Sequence, residues 1–512
     1  MRLKILLLLI LGLLYLSNLG LNDIWQPNEA FYAETSRELL ESGNYLNLTY
    51  NYEPRLEKPP LTYWLTALSY KTLGVNELTT RLVPLLSVLF TAATLIFYGK
   101  FLRSFSFGLT ASLIFLSSVQ IFALGRYDSP EMPLTFFLST SLIFLHIYLL
   151  KNSFLTIALS GIFLALTLLT KGIPFLTIYW GTLILFLLLK KFLYKETVNW
   201  KNEFAVPIIV SFVASLPILG WYFYAYLHYG ELFIKVFQNE VLHRALNPEK
   251  AWNFYFYFVV ILWAFFPFSL IFYYSLPGLI LKLKQYKDFA FSFSWFVTVL
   301  TAFTLAKGKI PVYILPAFPA MALLTARLAE YRHIVLNLLI AFTSLLALSG
   351  ALFVTFWFDF YKSWELWLIL LLTIALMFAV KEHFVKPLVA TVPFFAIFSL
   401  YILPKVEKYR PYKEVLTKLK RKFPTYKLAV LGHYYHNFPF YWKGKVYKLK
   451  SLSELKKLNP SRVLLFSEKP LKGWKIVKTV KLYKGSESRF MVFLKDIKTQ
   501  KRFGTFYFQV KD

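Results

Sequence analysis

The sequence predicts a polytopic α-helical membrane protein with a small α/β domain at its C-terminal end. Of its 512 residues, 57% are apolar and only 16% are charged, whereas soluble domains carry about 25% charged residues. Apolar runs close to the roughly 20 residues that cross a bilayer recur along most of the chain. From about residue 404 onward the apolar runs become short and alternating, which is typical of strands.

The apolar runs predict thirteen crossings, with a short interfacial or re-entrant helix at 61–73 after the first. The first run follows Arg2 and Lys4, as in a signal peptide, but no small-residue cleavage site comes after it, so we expect a retained signal anchor. The predicted spans are 3–20, 81–99, 105–123, 132–150, 154–170, 173–189, 204–225, 254–277, 289–306, 311–326, 334–356, 364–380 and 386–403.

The placement of basic residues predicts the orientation of these spans. With the N-terminus in the cytoplasm, basic residues cluster in the cytoplasmic turns, as the positive-inside rule requires. These residues are Lys100, Arg103, Lys151, Lys190, Lys191, Lys195, Lys201, Lys282, Lys284, Lys287, Arg327, Arg332, Lys381 and Lys386. We therefore expect a bacterial inner-membrane protein whose opposite turns are periplasmic. Those turns are the loop 21–80, 126–128, 171–172, the loop 226–253, 307–309 and the C-terminal tail.

The chain is predicted to divide into a membrane domain, 1–403, and a soluble periplasmic α/β domain, 404–512. Strands are expected at 427–431, 462–466 and 490–494, and a Lys-rich helix at 412–423. From Tyr401 onward there are 28 Lys and Arg against 7 Asp and Glu, which is +21 of the total +30. This charge indicates either a solvated surface or attraction to anionic head groups. The absence of cysteine excludes disulfides and thiol nucleophiles.

The predicted external loop 21–80 is richer in chemistry than a connection between two helices requires. It carries carboxylates, an amide and a lysine close to the water–lipid boundary, where a lipid-borne phosphate would lie. These groups fall in four stretches, 25–34 (WQPNEAFYAE), 36–38 (SRE), 42–44 (SGN) and 56–61 (LEKPPL).

Several of these motifs resemble the signature stretches of a known enzyme family. Residues 25–34, 36–38, 57–60 (EKPP) and 307–316 (KGKIPVYILP) are similar to those of the lipid A aminoarabinose transferases and of protein O-mannosyltransferase-like enzymes of the GT-C superfamily. A looser likeness runs through Asp128, Lys171-Gly172 and His243-Arg244. The resemblance implies a multi-helix GT-C fold, a site on the outer face, and a sugar donor linked to a polyprenyl phosphate such as undecaprenyl phosphate.

In such a reaction the leaving group is a membrane-anchored phosphate, and cations must offset its growing charge. Lys58 is the first candidate, because Pro59-Pro60 stiffens the chain after it. Further candidates for the phosphate are Arg244, Lys309, Arg55 and the hydroxyl of Tyr313, and candidates for the sugar or acceptor are Tyr32, Glu57 and Lys171. Each cation could instead reach the membrane interface without a ligand.

The chain departs from the family pattern at two positions. The pattern has an aspartate where this chain has Asn28 and an arginine where it has Phe31. Asn28 cannot take a proton, so the catalytic position leaves three alternatives. The base has moved to Glu29 or Asp128, or the acceptor is already ionised, as a phosphate is, or the protein only binds lipid.

The expected partners are a polyprenyl-phosphate-linked sugar donor, membrane lipids, and lipid A or another envelope acceptor such as protein Ser/Thr or a surface glycan. Nucleic acid is not expected. A lipid transporter or flippase is a different class, disfavoured because charged residues fall in turns rather than mid-membrane. The mechanism requires no cofactor, although Glu29 and Asp128 could bind a divalent cation if they meet. His433 and His436 could bind zinc only on a helix.

Overall fold

The computed structural model describes residues 1–243, 253–285, 287–330, 333–458 and 462–511. Within these ranges eight helices are long and apolar enough to cross a membrane: Glu77–Leu102, Glu131–Lys151, Phe154–Lys171, Ile173–Leu193, Trp200–Tyr229, Lys287–Leu305, Ile334–Trp357 and His383–Glu407. Four shorter apolar helices are Phe105–Leu116, Ser269–Leu281, Pro311–Ala326 and Trp364–Ala379. With α1 (Arg2–Leu16) they correspond one for one to the thirteen predicted spans. The predicted fold class is confirmed.

Two predicted spans are interrupted. The span 254–277 is divided into Phe256–Ala264 and Ser269–Leu281, and Pro267 lies in the break because proline cannot donate the helical hydrogen bond. The span 105–123 is divided at Ser117-Ser118, after which a short helix runs over Val119–Leu124.

The loop 21–80 is folded rather than extended. It contains α2 (Asn28–Ser42), an antiparallel hairpin of β1 (Thr49–Tyr50) and β2 (Glu53–Pro54), and α3 (Leu61–Leu73) at the position of the predicted re-entrant helix. Helix α2 ends at Gly43, whose φ of 68° is the left-handed conformation that glycine adopts without strain. The next helix, α4 (Glu77–Leu102), begins with a capping box in which Asn76 and Thr79 exchange hydrogen bonds of 3.0 and 3.1 Å.

The C-terminal domain is built on a five-stranded sheet in the order β4-β3-β5-β7-β6. Its strands are β3 (Lys427–Leu431), β4 (Val446–Leu449), β5 (Val463–Ser467), β6 (Trp474–Tyr483) and β7 (Phe503–Lys511). Strands β4, β3 and β5 are parallel, while β7 and β6 are antiparallel to their neighbours. The predicted strands at 427–431 and 462–466 are confirmed, as is the Lys-rich helix, which runs over Tyr412–Lys422. His433 and His436 lie in the loop after β3.

The strand predicted at 490–494 is wrong, because this segment begins the helix Phe490–Thr499. Five apolar residues in a row fit either structure. The buried residues Phe493 and Ile497 are four positions apart, which fits a helix that packs one face on the domain.

The C-terminal domain is fastened to the loop 21–80 by buried polar contacts. Arg410, fully buried, donates to Glu487 (2.9 Å) and to the carbonyls of Asp23 (2.9 Å) and Ile24 (3.0 Å). Its guanidinium carbon lies 3.8 Å from the ring centroid of Trp25. The predicted domain boundary at 403/404 stays a prediction, and the helix His383–Glu407 runs across it.

Candidate active site

A cavity of about 1530 Å³ lies where the loop 21–80, the membrane helices and the C-terminal domain meet. Its wall draws on most of the turns that the charge pattern assigns to one side of the membrane. The contributing residues include 55–59 of the loop, 126–127, 129–131, Lys171, 240–241, Gly308, Ile310, 312–313, and, in the C-terminal domain, 487–488, 490–491 and 494–495. Segments far apart in sequence thus converge on one site.

Three acid–base pairs border this cavity. Lys171 Nζ lies 2.8 Å from Glu131 Oε1, Arg55 Nη1 lies 3.5 Å from Glu57 Oε2, and the Lys58 ammonium is paired with the Glu240 carboxylate. All six residues are part of the cavity wall. The side chains of Lys58 and Glu240 retain 22% and 16% of their exposure, so a ligand in the cavity can reach this pair.

Local structure fixes where Lys58 lies. It follows the hairpin of β1 and β2 by four residues and precedes Pro59-Pro60, after which α3 begins at Leu61. Two prolines restrict the backbone on one side, and the hairpin ends on the other. The predicted role of Pro59-Pro60 in positioning Lys58 is consistent with this arrangement.

Aromatic residues surround Arg55 at the same edge of the cavity. The Arg55 guanidinium carbon lies 4.2 Å from the ring centroid of Phe31, and its Nε donates to the Tyr63 hydroxyl at 3.2 Å. Tyr32 stacks on Tyr63 with centroids 5.0 Å apart and an interplanar angle of 17°. Phe31, Tyr32 and Arg55 all border the cavity, so they form one cationic and aromatic edge.

Tyr313 lies beside Lys171 at the cavity. The Lys171 Nζ lies 5.2 Å from the Tyr313 ring centroid, and both residues border the cavity. Lys309 is not in the described cavity wall, and its ammonium donates to the carbonyl of Thr304 at 2.8 Å and to that of Ala306. Arg244 lies outside the described residues.

Glu29 is fully buried, and it connects the loop 21–80 with Arg81 of α4 and with Asp128, contacts that we call the framework. Its carboxylate accepts hydrogen bonds from Arg81 Nε and Nη2, both at 2.8 Å. The backbone N–H groups of Trp25 and Asp128 donate to it at 2.8 and 3.1 Å. A carboxylate has about four acceptor positions, and all four are taken. The described part of the cavity wall does not include Glu29. Its catalytic role stays a prediction, while its contacts indicate a positioning role.

Asp128 is also fully buried and is absent from the described cavity wall. Its Oδ2 accepts from Thr66 Oγ1 at 3.3 Å, and its Oδ1 has no hydrogen-bond partner among the described residues. Burial, and then the neighbouring Glu29 carboxylate, raise the pKa of Asp128 well above its usual range. At any given pH a smaller share of Asp128 is therefore ionised than of an exposed aspartate.

Asn28 is exposed and borders the cavity, whereas the adjacent Glu29 is turned into the framework. Successive residues on a helix project about 100° apart, so the side chains of neighbouring positions at the start of α2 lie in different surroundings. The position at which the family pattern has its aspartate is thus the one that faces the ligand space.

Glu29 and Asp128 are neighbours, since the Asp128 N–H donates to Glu29 Oε1 at 3.1 Å, but Arg81 donates to both oxygens of the Glu29 carboxylate. Within the described ranges, no three His, Cys, Asp or Glu side chains are grouped so that they could hold a metal ion. The prediction that no cofactor is required is not tested by this observation.

The sequence does not single out three charged residues that the structure places at the cavity: Arg81, Glu131 and Glu240. Arg81 and Glu131 lie next to the ends of predicted spans, and Glu240 lies in a predicted external loop. Their signal was the presence of a charge close to the membrane boundary on the same predicted side as Lys58 and Lys171. Nothing in the sequence indicates which acid pairs with which base.

Sequence comparisons relate the chain to sugar transferases. A profile of the dolichyl-phosphate-mannose-protein mannosyltransferase family (PMT) matches residues 1–233. An uncharacterized protein of Aquifex aeolicus (strain VF5) is 36% identical over 504 residues, which cover 96% of each chain.

Undecaprenyl phosphate-alpha-4-amino-4-deoxy-L-arabinose arabinosyl transferases show a shorter likeness. Those of Wigglesworthia glossinidia brevipalpis and Serratia proteamaculans (strain 568) are 27% and 28% identical over 334 and 342 residues. The alignments cover 62% and 64% of this chain but only 57% and 59% of the two transferases, less than two thirds of their length.

A solved structure shares the whole fold. The crystal structure of ArnT from Cupriavidus metallidurans bound to undecaprenyl phosphate superposes with a TM-score of 0.74 at 18% identity, covering 98% of this chain and 97% of that one. Its apo form gives a TM-score of 0.72. At this level of identity the likeness establishes the fold.

Proposed function

Because this chain belongs to the ArnT-like family of GT-C glycosyltransferases, which are lipid-linked sugar transferases, we propose that it moves a sugar from polyprenyl phosphate to lipid A. The donor lipid would be undecaprenyl phosphate, and transfer would take place on the periplasmic face of the inner membrane with inversion at the sugar. The observation that carries this proposal is the convergence of Arg55, Lys58 and Lys171 on one cavity.

The reaction is a single in-line displacement. An acceptor oxygen attacks the anomeric carbon, the bond from that carbon to the phosphate oxygen breaks, and its electron pair leaves with the phosphate. Lys58 stabilises the departing phosphate, and this phosphate replaces Glu240 as the partner of Lys58. Lys171 and Arg55 add positive charge at the same wall. Preorganised cations of this kind act strongly because they are already in place when charge develops.

The surroundings of the carboxylates favour an acceptor that needs no general base. Asn28 has no proton-accepting group, Glu29 is saturated by hydrogen bonds, and Asp128 is fully buried and absent from the described cavity wall. A phosphate oxygen is anionic at neutral pH and can attack without losing a proton. This supports lipid A, which carries phosphates, over serine or sugar hydroxyls.

The pairing of the cavity's carboxylates with cations favours a second candidate function. Each of the carboxylates in the described cavity wall, Glu57, Glu131, Glu240 and Glu487, is paired with a cation. Such a cavity would also suit a protein that binds polyprenyl phosphate without transferring a sugar. In that case Lys58, Lys171 and Arg55 would hold the phosphate, and no acceptor would be modified.

Mass spectrometry of the cell envelope separates these functions. Lipid A and envelope glycoproteins are compared from cells that carry the gene, lack it, or carry Lys58→Ala. We expect one added sugar on lipid A only with the natural gene. The same sugar found on glycoproteins would transfer the proposal to a protein acceptor. No change in either fraction, with polyprenyl phosphate still bound by the purified protein, would support the binding candidate.

A further inference from the structure

The C-terminal domain contributes directly to the cavity wall. Of its helix Phe490–Thr499, four residues border the cavity: Phe490, Met491, Leu494 and Lys495. Their spacing places them along one side of the helix. The opposite side packs on the domain, where the Tyr483 ring lies 4.6 Å from that of Phe493 and its hydroxyl donates to Asp496 at 2.7 Å.

This helix is held against the membrane helices by specific contacts. Lys498 Nζ donates to the carbonyl of Trp357 at 3.0 Å and lies 4.4 Å from the centroid of its ring. The Phe490 ring lies 5.6 Å from Phe398 and 5.8 Å from Trp25. The helix is therefore a fixed wall, joined to the ends of Ile334–Trp357 and His383–Glu407.

Together these elements enclose an apolar part of the cavity, here called the apolar bay. Its residues are Phe353, Trp357, Phe394, Phe398, Phe490 and Met491. Met491 and Phe353 are 76% and 62% exposed, so two large apolar side chains point into space that a lipid could fill. Lys495, exposed on the next turn of the helix, places a positive charge beside the bay.

A second apolar wall lies next to the cations that would bind the donor phosphate. The Tyr313 ring, beside Lys171, lies 5.3 Å from that of Phe303, which lies 6.1 Å from Phe175. Phe175 and Phe303 border the cavity from the helices Ile173–Leu193 and Lys287–Leu305. A polyprenyl tail whose phosphate rests on Lys58 and Lys171 has this wall beside it. The apolar bay, formed by other helices, is left for a different chain.

We propose that the apolar bay and Lys495 bind the acceptor, and that the acceptor is an acyl-chain lipid with an anionic head group. Its acyl chain lies against Met491 and Phe353, and its anionic group pairs with Lys495. The strongly basic C-terminal part of the chain, at +21 from Tyr401 onward, complements such a head group. This inference rests on the proposed function and adds the place where its acceptor binds.

Photocrosslinking tests the site without requiring turnover. Met491 is replaced by p-benzoylphenylalanine in the full-length protein, and the probes are lipid A and undecaprenyl phosphate in detergent micelles. Val492 is the matched control, since it is 37% exposed on the same helix but outside the described cavity wall. We expect lipid A to be captured at position 491, in competition with unlabelled lipid A, and much less at position 492.

Two outcomes would overturn the assignment. Competition by undecaprenyl phosphate alone would show that the bay holds the donor tail. Equal labelling at positions 491 and 492 without competition would show that the helix merely touches bulk lipid. Specific capture by a protein that transfers no sugar would leave this site standing while removing the proposed function.

A kinetic measurement covers the charged part of the site. Lys495→Glu should raise the KM for lipid A about tenfold, the effect of losing one charge-assisted contact, and leave the KM for the donor unchanged. The control is Lys501→Glu, an exposed lysine of the same domain outside the described cavity wall. A rise in the donor KM, or equal effects of the two changes, would contradict the proposal.

Discussion

Two acid–base pairs that meet near the loop 21–80 differ in what surrounds them. In the Glu29–Arg81 pair the side chains are 0% and 2% exposed, and the carboxylate accepts four hydrogen bonds. In the Lys58–Glu240 pair they are 22% and 16% exposed and border the cavity. The Glu29 carboxylate is closed to ligands, although Arg81 borders the cavity, while the second pair can exchange its carboxylate for a phosphate. Burial and hydrogen bonding thus separate a framework role from a binding role.

The largest expected effect comes from breaking the closed pair. Glu29→Gln leaves the Arg81 guanidinium buried without a counter-charge, which should lower the free energy of unfolding by about 3–5 kcal/mol. Thermal unfolding of the protein in detergent measures this. The control Glu41→Gln removes the partly exposed pair with Arg37 and should change stability by about 0.5 kcal/mol or less.

A stable Glu29→Gln protein that has lost its activity would contradict the framework role. It would instead show that Glu29 is the catalytic base that the sequence suggested.

Breaking the Lys58–Glu240 pair should have the opposite result, a loss of activity without a loss of stability. Lys58→Ala should lower kcat about 100- to 1000-fold, as the removal of one preorganised contact to a developing charge does, with an unchanged unfolding temperature. Lys71→Ala, which removes an exposed lysine of α3, is the matched control. Normal turnover by Lys58→Ala would remove the central assignment, and unfolding of this variant would place Lys58 in the framework.

A smaller effect is expected at Asn28, which faces the cavity. Asn28→Asp adds a negative charge near an anionic acceptor and should reduce transfer to lipid A about fivefold by like-charge repulsion. Asn44→Asp, on an exposed part of the same loop, should have no such effect. If Asn28→Asp creates transfer that the natural protein lacks, a base is required there and the lipid-binding function gains support.

The smallest effect concerns pH. Burial, and then the charge of Glu34, raise the pKa of Glu38 to about 8. The folded protein keeps a proton that the unfolded chain loses near pH 4.5, so this stabilisation is complete below that pH and is lost as the pH rises through 8. Thr49 and the N–H of Tyr52 donate to Glu38, and glutamine can accept both bonds. Glu38→Gln should therefore show a smaller fall in unfolding temperature between pH 6 and 9.

Asp23 provides a separate control, because burial, and then Glu407, raise its pKa to about 8 as well. Asp23→Asn should remove a different part of the same fall. An identical pH profile for Glu38→Gln and the natural protein would contradict the prediction.

Much of the fold could be predicted from the sequence because hydropathy and turn signals are local. The thirteen spans, α3 at 61–73, and the strands β3 and β5 follow from residues within each segment. The helix Phe490–Thr499 could not be told from a strand by its first five apolar residues. Its identity depends on how it packs against the domain.

The site could be predicted only in part. Lys58, Lys171, Arg55, Tyr32 and Tyr313 do meet at one cavity, as motif positions suggested. Their partners could not be predicted, because Glu240 is 182 residues from Lys58 and Arg81 is 52 residues from Glu29. Only the tertiary structure decides which of two neighbouring positions, Asn28 or Glu29, faces the ligand.

The most direct measurement is a structure of the protein with undecaprenyl phosphate bound. We predict that a phosphate oxygen lies about 3 Å from Lys58 Nζ, the distance of a charge-assisted hydrogen bond, and that Glu240 has moved away. A phosphate bound elsewhere, with the Lys58–Glu240 pair still formed, would contradict the proposed role of Lys58.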